Sequence, residues 1–545
     1  MREFSKSTVY QIYVKSFMDS NGDGIGDLNG ITSRLDYLSG LGVDYLWLTP
    51  FFCSPLNDNG YDISDYYNID PVFGTMEDID RLISEADKRN IGLMFDMVLN
   101  HTSTSHEWFQ KALKGDKKYM DYYIFKDAVD GHEPTNWVSK FGGNAWEYVP
   151  SLDKYYLHLF DVSQADLNWE NPQVREEVKN IIRFWKDKGV KGFRFDVINL
   201  ISKPEKYEND YEGDGRRFYT DGHRIHEFLK ELCHDTGIED FVTVGEMSST
   251  TLDNCVRYSN QAEKELAMTF SFHHLKVDYK DGDKWKLMTP DIKKLKELFT
   301  DWQEGMQAGD GWNALFWCNH DQPRAVSRFC DDGELRVRSA KMLGTAIHMM
   351  RGTPYIYQGE EIGMTNAGFT DISQYKDVES LNYYKILLDS GVEKADALKI
   401  LNERSRDNSR TPMQWNDKEN AGFTAGTAWI EAISNYKQIN VEKSLLDENS
   451  VYYYYKKLVA LRKKYDVIPD GDIQILRDVP EKVFAYTRTL DKQKLVVFTN
   501  FSNDEQKLET PFDVSDYELL IANTNTKTKI VQTLKPYGAL VYYKS

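Results

Sequence analysis

The sequence predicts an α/β protein: a (β/α)8 TIM barrel with a subdomain inserted after strand 3 and a C-terminal antiparallel β-sandwich domain. Three observations predict it. Short apolar runs suited to strands alternate with segments of helical period. Polar and charged residues cluster just after many of those runs. From about Asp470 the alternation gives way to closely spaced β runs. Strand–helix alternation over such a length builds a parallel sheet with helices outside. Chemistry-bearing residues at successive strand ends favour a closed barrel, whose C-terminal strand ends converge on one site.

In chain order, the strand-like runs are residues 43–48, 91–99, 192–197, 241–245, 314–318 and 353–357. Helical periodicity marks residues 76–88 and 174–186 between them. Residues 101–168 are rich in Trp, Tyr, Gly and Asn with little helical period, and are assigned to the inserted subdomain. Residues 1–100 and 169–469 then form the barrel, the latter with an extended segment after the eighth strand. Residues 470–545 form the sandwich, with β runs at 483–488, 495–500, 518–521 and 539–543 separated by turn formers.

Composition narrows the function. There are 67 Lys and Arg against 86 Asp and Glu, a net charge of −19, which excludes binding to a phosphate backbone by a basic surface. The aromatic fraction of 13% goes with rings that stack on sugar faces, although core packing accounts for most single rings. No run of 18 apolar residues exists and the first residues lack an apolar leader, so neither a membrane partner nor export is expected. Five scattered cysteines without metal-type spacing read as free, mostly buried thiols, and the expected compartment is the cytoplasm.

Three acids follow β runs: Asp196, Glu246 and Asp321. A lone Asp in such a place is usually a cap or turn residue. Here Arg194 stands two residues before Asp196 and so projects from the same face of its strand. A neighbouring guanidinium keeps a carboxylate ionised, as a nucleophile requires. His101 and His320 sit at other strand ends.

Four segments together resemble the α-amylase superfamily of retaining glycoside hydrolases: Asp96 to His101, Gly192 to Val197, Glu246 with its neighbours, and Phe316 to Asp321. They occur in the family's order, and the resemblance covers essentially the whole chain. It implies Asp196 as nucleophile, Glu246 as general acid and then base, and Asp321 as the third acid that binds ring hydroxyls. The acid must hold its proton where the nucleophile has lost one, a difference that environment sets. The resemblance also implies that His101, His320 and Phe160 line the first sugar subsite. Asp58 and Tyr61 would close off the non-reducing end, with Arg410 as the ion-pair partner of Asp58, giving an exo-acting pocket. Val197, directly after the nucleophile, is similar to the oligo-1,6-glucosidase branch and argues against maltose as main substrate.

Outside the catalytic acids, residues 246–251, 268–279, 313–324 and 420–430 resemble the phosphotrehalase subfamily. That implies hydrolysis of trehalose 6-phosphate to glucose and glucose 6-phosphate. An anionic sugar approaching so acidic a chain needs a local basic cluster. Lys276, Lys280, Lys284 and Lys286, with His273 and His274, supply one after the Glu246 strand. Lys276 and Lys284 match the subfamily pattern and are the expected phosphate ligands, although a lysine run is more often a solvated face. The main alternative is an oligo-1,6-glucosidase acting on isomalto-oligosaccharides, which shares every catalytic residue. A sucrose-isomerase-like transglycosylase would differ only in its acceptor site. A transporter heavy subunit of this fold would carry a membrane helix and lack the acids.

Asp19, Asn21, Asp23 and Asp27, with the Ile25 carbonyl and Gly24 at the sixth position, read as the start of a calcium loop. Position 12 is Gly30 instead of Glu, so this is no complete EF-hand. The family resemblance implies a structural Ca²⁺ far from the active site, and no organic cofactor is expected. The alternative is a loop of turn-forming Asp and Gly with no ion.

Overall fold

A computed structural model describes residues 2–526 and 528–545. Eight parallel strands form the barrel: β1 (Val9–Ile12), β2 (Tyr45–Leu48), β3 (Gly92–Val98), β4 (Gly192–Asp196), β5 (Val242–Glu246), β6 (Met268–Phe270), β7 (Ala314–Leu315) and β8 (Thr353–Tyr357). They run in the order β6-β5-β4-β3-β2-β1-β8-β7. A parallel bridge between Thr269 and Asn313 closes the ring between β6 and β7. Strands β1, β4 and β8 are buried at every position, as expected where helices cover the outer face.

Two barrel strands escape the sequence reading, for identifiable reasons. Strand β1 carries the buried polar residue Gln11, which breaks the apolar run. Strand β6 is three residues long and contains Thr269. The helices follow their local signals closely. Met76–Asp87 starts with a Thr75–Asp78 capping box and buries Ile79, Leu82 and Ala86 on one face. Pro172–Asp187 has Asn171 as N-cap and Pro in its first turn, and it buries Val178, Ile182 and Trp185.

Residues 101–168 contain a two-stranded and a three-stranded antiparallel sheet, together with the helices Glu107–Leu113 and Lys117–Met120. The helices are too short for their period to stand out among the aromatic residues. Trp137, Trp146, Leu157 and Leu159 pack with Val197 and Leu200, which fixes this unit over the end of β4. A second small cluster joins Trp285, after β6, to Phe369, Tyr375 and Leu401, after β8. These two clusters form the walls of the barrel mouth.

The C-terminal strands form one five-stranded and one two-stranded antiparallel sheet. They include three strands absent from the predicted runs: Asp472–Ile475, Gln506–Asp513 and Ile530–Leu534. All five cysteines are free thiols. Among the described residues no helix is long and apolar enough to cross a membrane.

Candidate active site

Sheet register assembles the centre of the site. Arg194 on β4 is the direct neighbour of Asp96 on β3, and Phe195 is the neighbour of Gly245 on β5. One step further, Asp196 and Glu246 stand side by side at the ends of adjacent strands. Neighbouring strands are about 4.8 Å apart. Two carboxyl groups on adjacent strand ends, both held by Arg194, are compatible with the roughly 5–5.5 Å separation of a retaining pair.

One guanidinium serves all three carboxylates. Arg194 Nη1 donates to Asp96 and to Asp196 at 2.6 Å each, and Nη2 meets Glu246. Arg194 is 1% exposed, so these charges interact in a low-dielectric setting. Asp96 also accepts from Trp47 Nε1 at 3.0 Å and from the Tyr61 hydroxyl at 2.9 Å. Burial, opposed by Arg194, pushes the Asp96 carboxyl up to about 6. The chain leaves β4 through Val197 at φ 35°, a left-handed conformation that strains a β-branched residue. Val197 thereby lines the mouth next to Asp196. At Gly245 an added Cβ would meet the side-chain ends of Met247 at 2.4 Å and Leu266 at 2.6 Å, which would have to shift to admit it.

The third acid belongs to a different cluster. Asp321 lies 2.7 Å from Arg410 Nη2, 3.3 Å from Arg406 Nη1 and 3.3 Å from His320 Nε2. Burial works against its ionisation, but His320 and the two arginines hold the carboxyl well below the usual range. Gln11 Nε2 lies 2.8 Å from His320 Nδ1, and the ring's Nε2 faces Asp321. Tyr61 stacks on the same ring with centroids 5.2 Å apart.

The expected Asp58–Arg410 pair is corrected by the structure. The arginine that reaches Asp58 is Arg406, at 3.5 Å. Arg410 points to Asp321 and donates from Nε to the His320 carbonyl at 2.9 Å. Arg406 and Arg410 are four residues apart around the short helix Asp407–Arg410, and only the fold decides which one faces Asp58. Arg406 also holds Asp377 at 2.6 Å and Glu379 at 3.5 Å. Burial, opposed by Arg406 and Arg410, pushes Asp58 up to about 7. Gln164 Nε2 donates to Asp58 Oδ2 at 3.2 Å, whereas the buried Oδ1 accepts no hydrogen bond among the described residues.

His101 touches the Tyr61 carbonyl and Gln164, and its ring lies 5.2 Å from Phe160. Phe160, Glu246, Asp321 and Arg406 line an open cleft of about 970 Å³. Lys276 and Lys284 line it too, while Lys280 and Lys286 lie outside that lining. Lys284 is ion-paired with Glu379 at 2.7 Å. A further lysine, Lys140 from the inserted subdomain, enters the same cleft. Sequence reasoning missed Gln11, Gln164, Arg406, Asp377 and Lys140. The signal for Arg406 was its helical spacing from Arg410; the others sit in no motif.

In the loop from Asp19 to Asp27 the donor set is all oxygen, as a hard cation requires. Its side chains, however, are engaged with amides. Asp19 accepts from the backbone of Asn21, Gly22 and Gly24 and from Thr424. Asp23 accepts from Ile25 and from the Asn21 amide, and Asp27 from Ser20 and Gly30. Among the described residues no three acidic side chains converge as a metal cluster.

A barrel whose mouth presents a carboxyl pair bridged by arginine, beside a third acid, is the site of a carboxylate-dependent glycosidase. The family described as alpha amylase, catalytic domain, matches residues 11–471, and the alpha-amylase SusG C-terminal domain matches residues 483–541. The chain belongs to the α-amylase family. It is 56% identical to the trehalose-6-phosphate hydrolase of Bacillus subtilis over 99% of this chain and 98% of that protein. It is 47% identical to the oligo-1,6-glucosidase of Bacillus cereus over 99% of both. The crystal structure of the Bacillus licheniformis trehalose-6-phosphate hydrolase superposes with a TM-score of 0.95 at 53% identity, covering 100% of both chains.

Proposed function

We propose that this chain is an exo-acting retaining α-glucosidase that hydrolyses trehalose 6-phosphate to glucose and glucose 6-phosphate. The observation that carries the mechanism is the placement of Asp196 and Glu246 side by side on adjacent strand ends, both held by Arg194. Asp196 attacks the anomeric carbon as the C1–O bond breaks, and Glu246 gives its proton to the leaving oxygen. Glucose 6-phosphate departs and leaves a glucosyl ester on Asp196. Glu246 then takes a proton from water, whose oxygen attacks C1 and frees glucose and the Asp196 carboxylate. Asp321, ionised between its two arginines, stands where it can accept from ring hydroxyls. Asp58 Oδ1, which faces Arg406 at 3.5 Å and accepts no closer hydrogen bond among the described residues, can accept from a sugar hydroxyl at the closed end. The Asp58–Arg406 wall stops further sugar on that side, which supports cleavage of single terminal units.

The substrate assignment is tested by glucose release from trehalose 6-phosphate, trehalose and isomaltose. Preference for trehalose 6-phosphate is expected; preference for isomaltose would make the chain an oligo-1,6-glucosidase with the same acids. A phosphorylated substrate fits action in the cytoplasm.

We also propose a structural Ca²⁺ held by Asp19, Asn21, Asp23, the Ile25 carbonyl and Asp27. The support is the alternate spacing of oxygen donors and the family resemblance. The ion would have to share carboxylates with backbone amides. Chelation should then lower the melting temperature of the metal-loaded protein and Ca²⁺ should restore it; an unchanged melting curve would leave the loop as a turn that needs no ion.

A further inference from the structure

The leaving sugar's phosphate must find cations whose charge is still available. Three lysines line the cleft beside Glu246: Lys140, Lys276 and Lys284. They are not equivalent. Lys284 Nζ lies 2.7 Å from Glu379, over the Trp285 ring, and Glu379 in turn lies 3.5 Å from Arg406. Its charge is neutralised locally, and its packing ties the loop after β6 to the segment after β8.

Lys140 is different. It reaches in from the inserted subdomain, and its Nζ donates to Ser248 Oγ at 3.0 Å. Among the described residues neither Lys140 nor Lys276 forms an ion pair. Lys140 is half-buried between the rings of Phe160 and Tyr219, at 5.9 and 5.8 Å. Lys276 ends the 3₁₀ turn His273–Lys276 after β6, so the two lysines reach one cleft from segments remote in sequence. Burial and the charges of Arg216 and Lys276, opposed by Asp214 and Asp166, bring the Lys140 amine down to about 8. Lys276 is likewise lowered by burial and by Arg216. Arg216 itself is paired with Asp214. Neither lysine has a carboxylate at ion-pair distance among the described residues, and together with Ser248, two residues beyond Glu246, they line one cleft that an anion can complete.

Resting on the trehalose 6-phosphate reading above, we propose that Lys140 and Lys276, with the Ser248 hydroxyl, grip the phosphate of the leaving sugar, and that Lys284 braces the cleft without touching it. Lys140 is then the specificity residue that sequence spacing hid, 136 positions from its partner.

The test compares wild type, K140A, K140R, K276A and K284A on trehalose 6-phosphate and on p-nitrophenyl α-glucoside, with glucose 6-phosphate as an inhibitor of the second reaction. A charge-assisted contact is worth roughly 10- to 100-fold. K140A and K276A should each lose about that much more kcat/KM on trehalose 6-phosphate than on p-nitrophenyl α-glucoside, chiefly through KM, and should weaken inhibition by glucose 6-phosphate. K140R should recover part of both. K284A should affect the two substrates by the same factor. In wild type, the ratio of the two kcat/KM values should fall as pH rises above about 8, where the free Lys140 amine loses its proton. A K140A enzyme that keeps its preference for trehalose 6-phosphate, or loses both substrates equally, would overturn the inference while the substrate reading stands. If wild type fails to cleave trehalose 6-phosphate but glucose 6-phosphate inhibits it in a Lys140-dependent way, the substrate reading falls and the anion site stands.

Discussion

Two buried arginines organise the mouth of this barrel, and they are built differently. Arg194 gathers Asp96, Asp196 and Glu246 from three adjacent strands. Arg406 gathers Asp58, Asp321, Asp377 and Glu379, which come from three loops remote from one another in sequence. The first cluster is a product of sheet register, since parallel neighbours at one level point the same way. The second exists only once the segment after β8 has folded back over the mouth. The contrast separates chemistry from pocket shape: the arginine inside the sheet holds the carboxyl groups proposed to react, and the one above it holds the wall proposed to close the sugar pocket.

The largest expected effect falls on the Arg194 cluster. R194Q leaves three carboxylates without their cation, and kcat on p-nitrophenyl α-glucoside should fall by about 10³-fold or more. It should also cost about 3–5 kcal/mol of stability, the usual consequence of removing one partner from a buried ion pair. Steady-state kinetics with a denaturant titration measures both, and a variant that keeps kcat within tenfold would refute the catalytic role.

R406Q should lose a similar amount of stability but show its kinetic defect mainly in KM, because Arg406 touches Asp58 and Asp321 and neither Asp196 nor Glu246. R406K should not rescue it, since a point charge cannot span four carboxylates. If R194Q and R406Q gave the same split between kcat and KM, the division into chemistry and recognition would collapse.

The smallest effect sharpens the electrostatics. Burial raises Asp58 to about 7 in the fold against the usual value of about 3.9 unfolded. Between roughly pH 4 and 7 the native state therefore binds more protons than the unfolded chain, so this group's contribution to stability declines as pH rises through that window. D58N removes the decline. Melting temperatures measured from pH 5 to 8 should fall less for D58N than for wild type; parallel curves would show that Asp58 is ionised throughout.

Legibility follows the same line. The barrel showed in strand–helix alternation, yet β1 and β6 did not, because Gln11 and Thr269 put polar atoms inside short runs. Gln11 is polar where only the folded structure shows a partner: its side chain hydrogen-bonds the His320 ring. Asp196 and Glu246 were readable because each ends an apolar run. Lys284 was readable as a basic residue, but its neutralisation by Glu379 was not, because that contact spans 95 positions.

The sequence by itself determined the fold class and the class of reaction, and it singled out Asp196, Glu246 and Asp321 as the candidate acids. Strand alternation and the order of strand ends are local properties, and they suffice to aim Arg194, Asp196 and Glu246 at one point. Tertiary structure alone decided that Arg406 faces Asp58, that Lys284 is neutralised and that Lys140 and Lys276 line one cleft. Those outcomes depend on the distance and burial of charges from remote segments. Coulomb attraction in a desolvated cleft depends strongly on both, and neither is written in the spacing of residues along the chain.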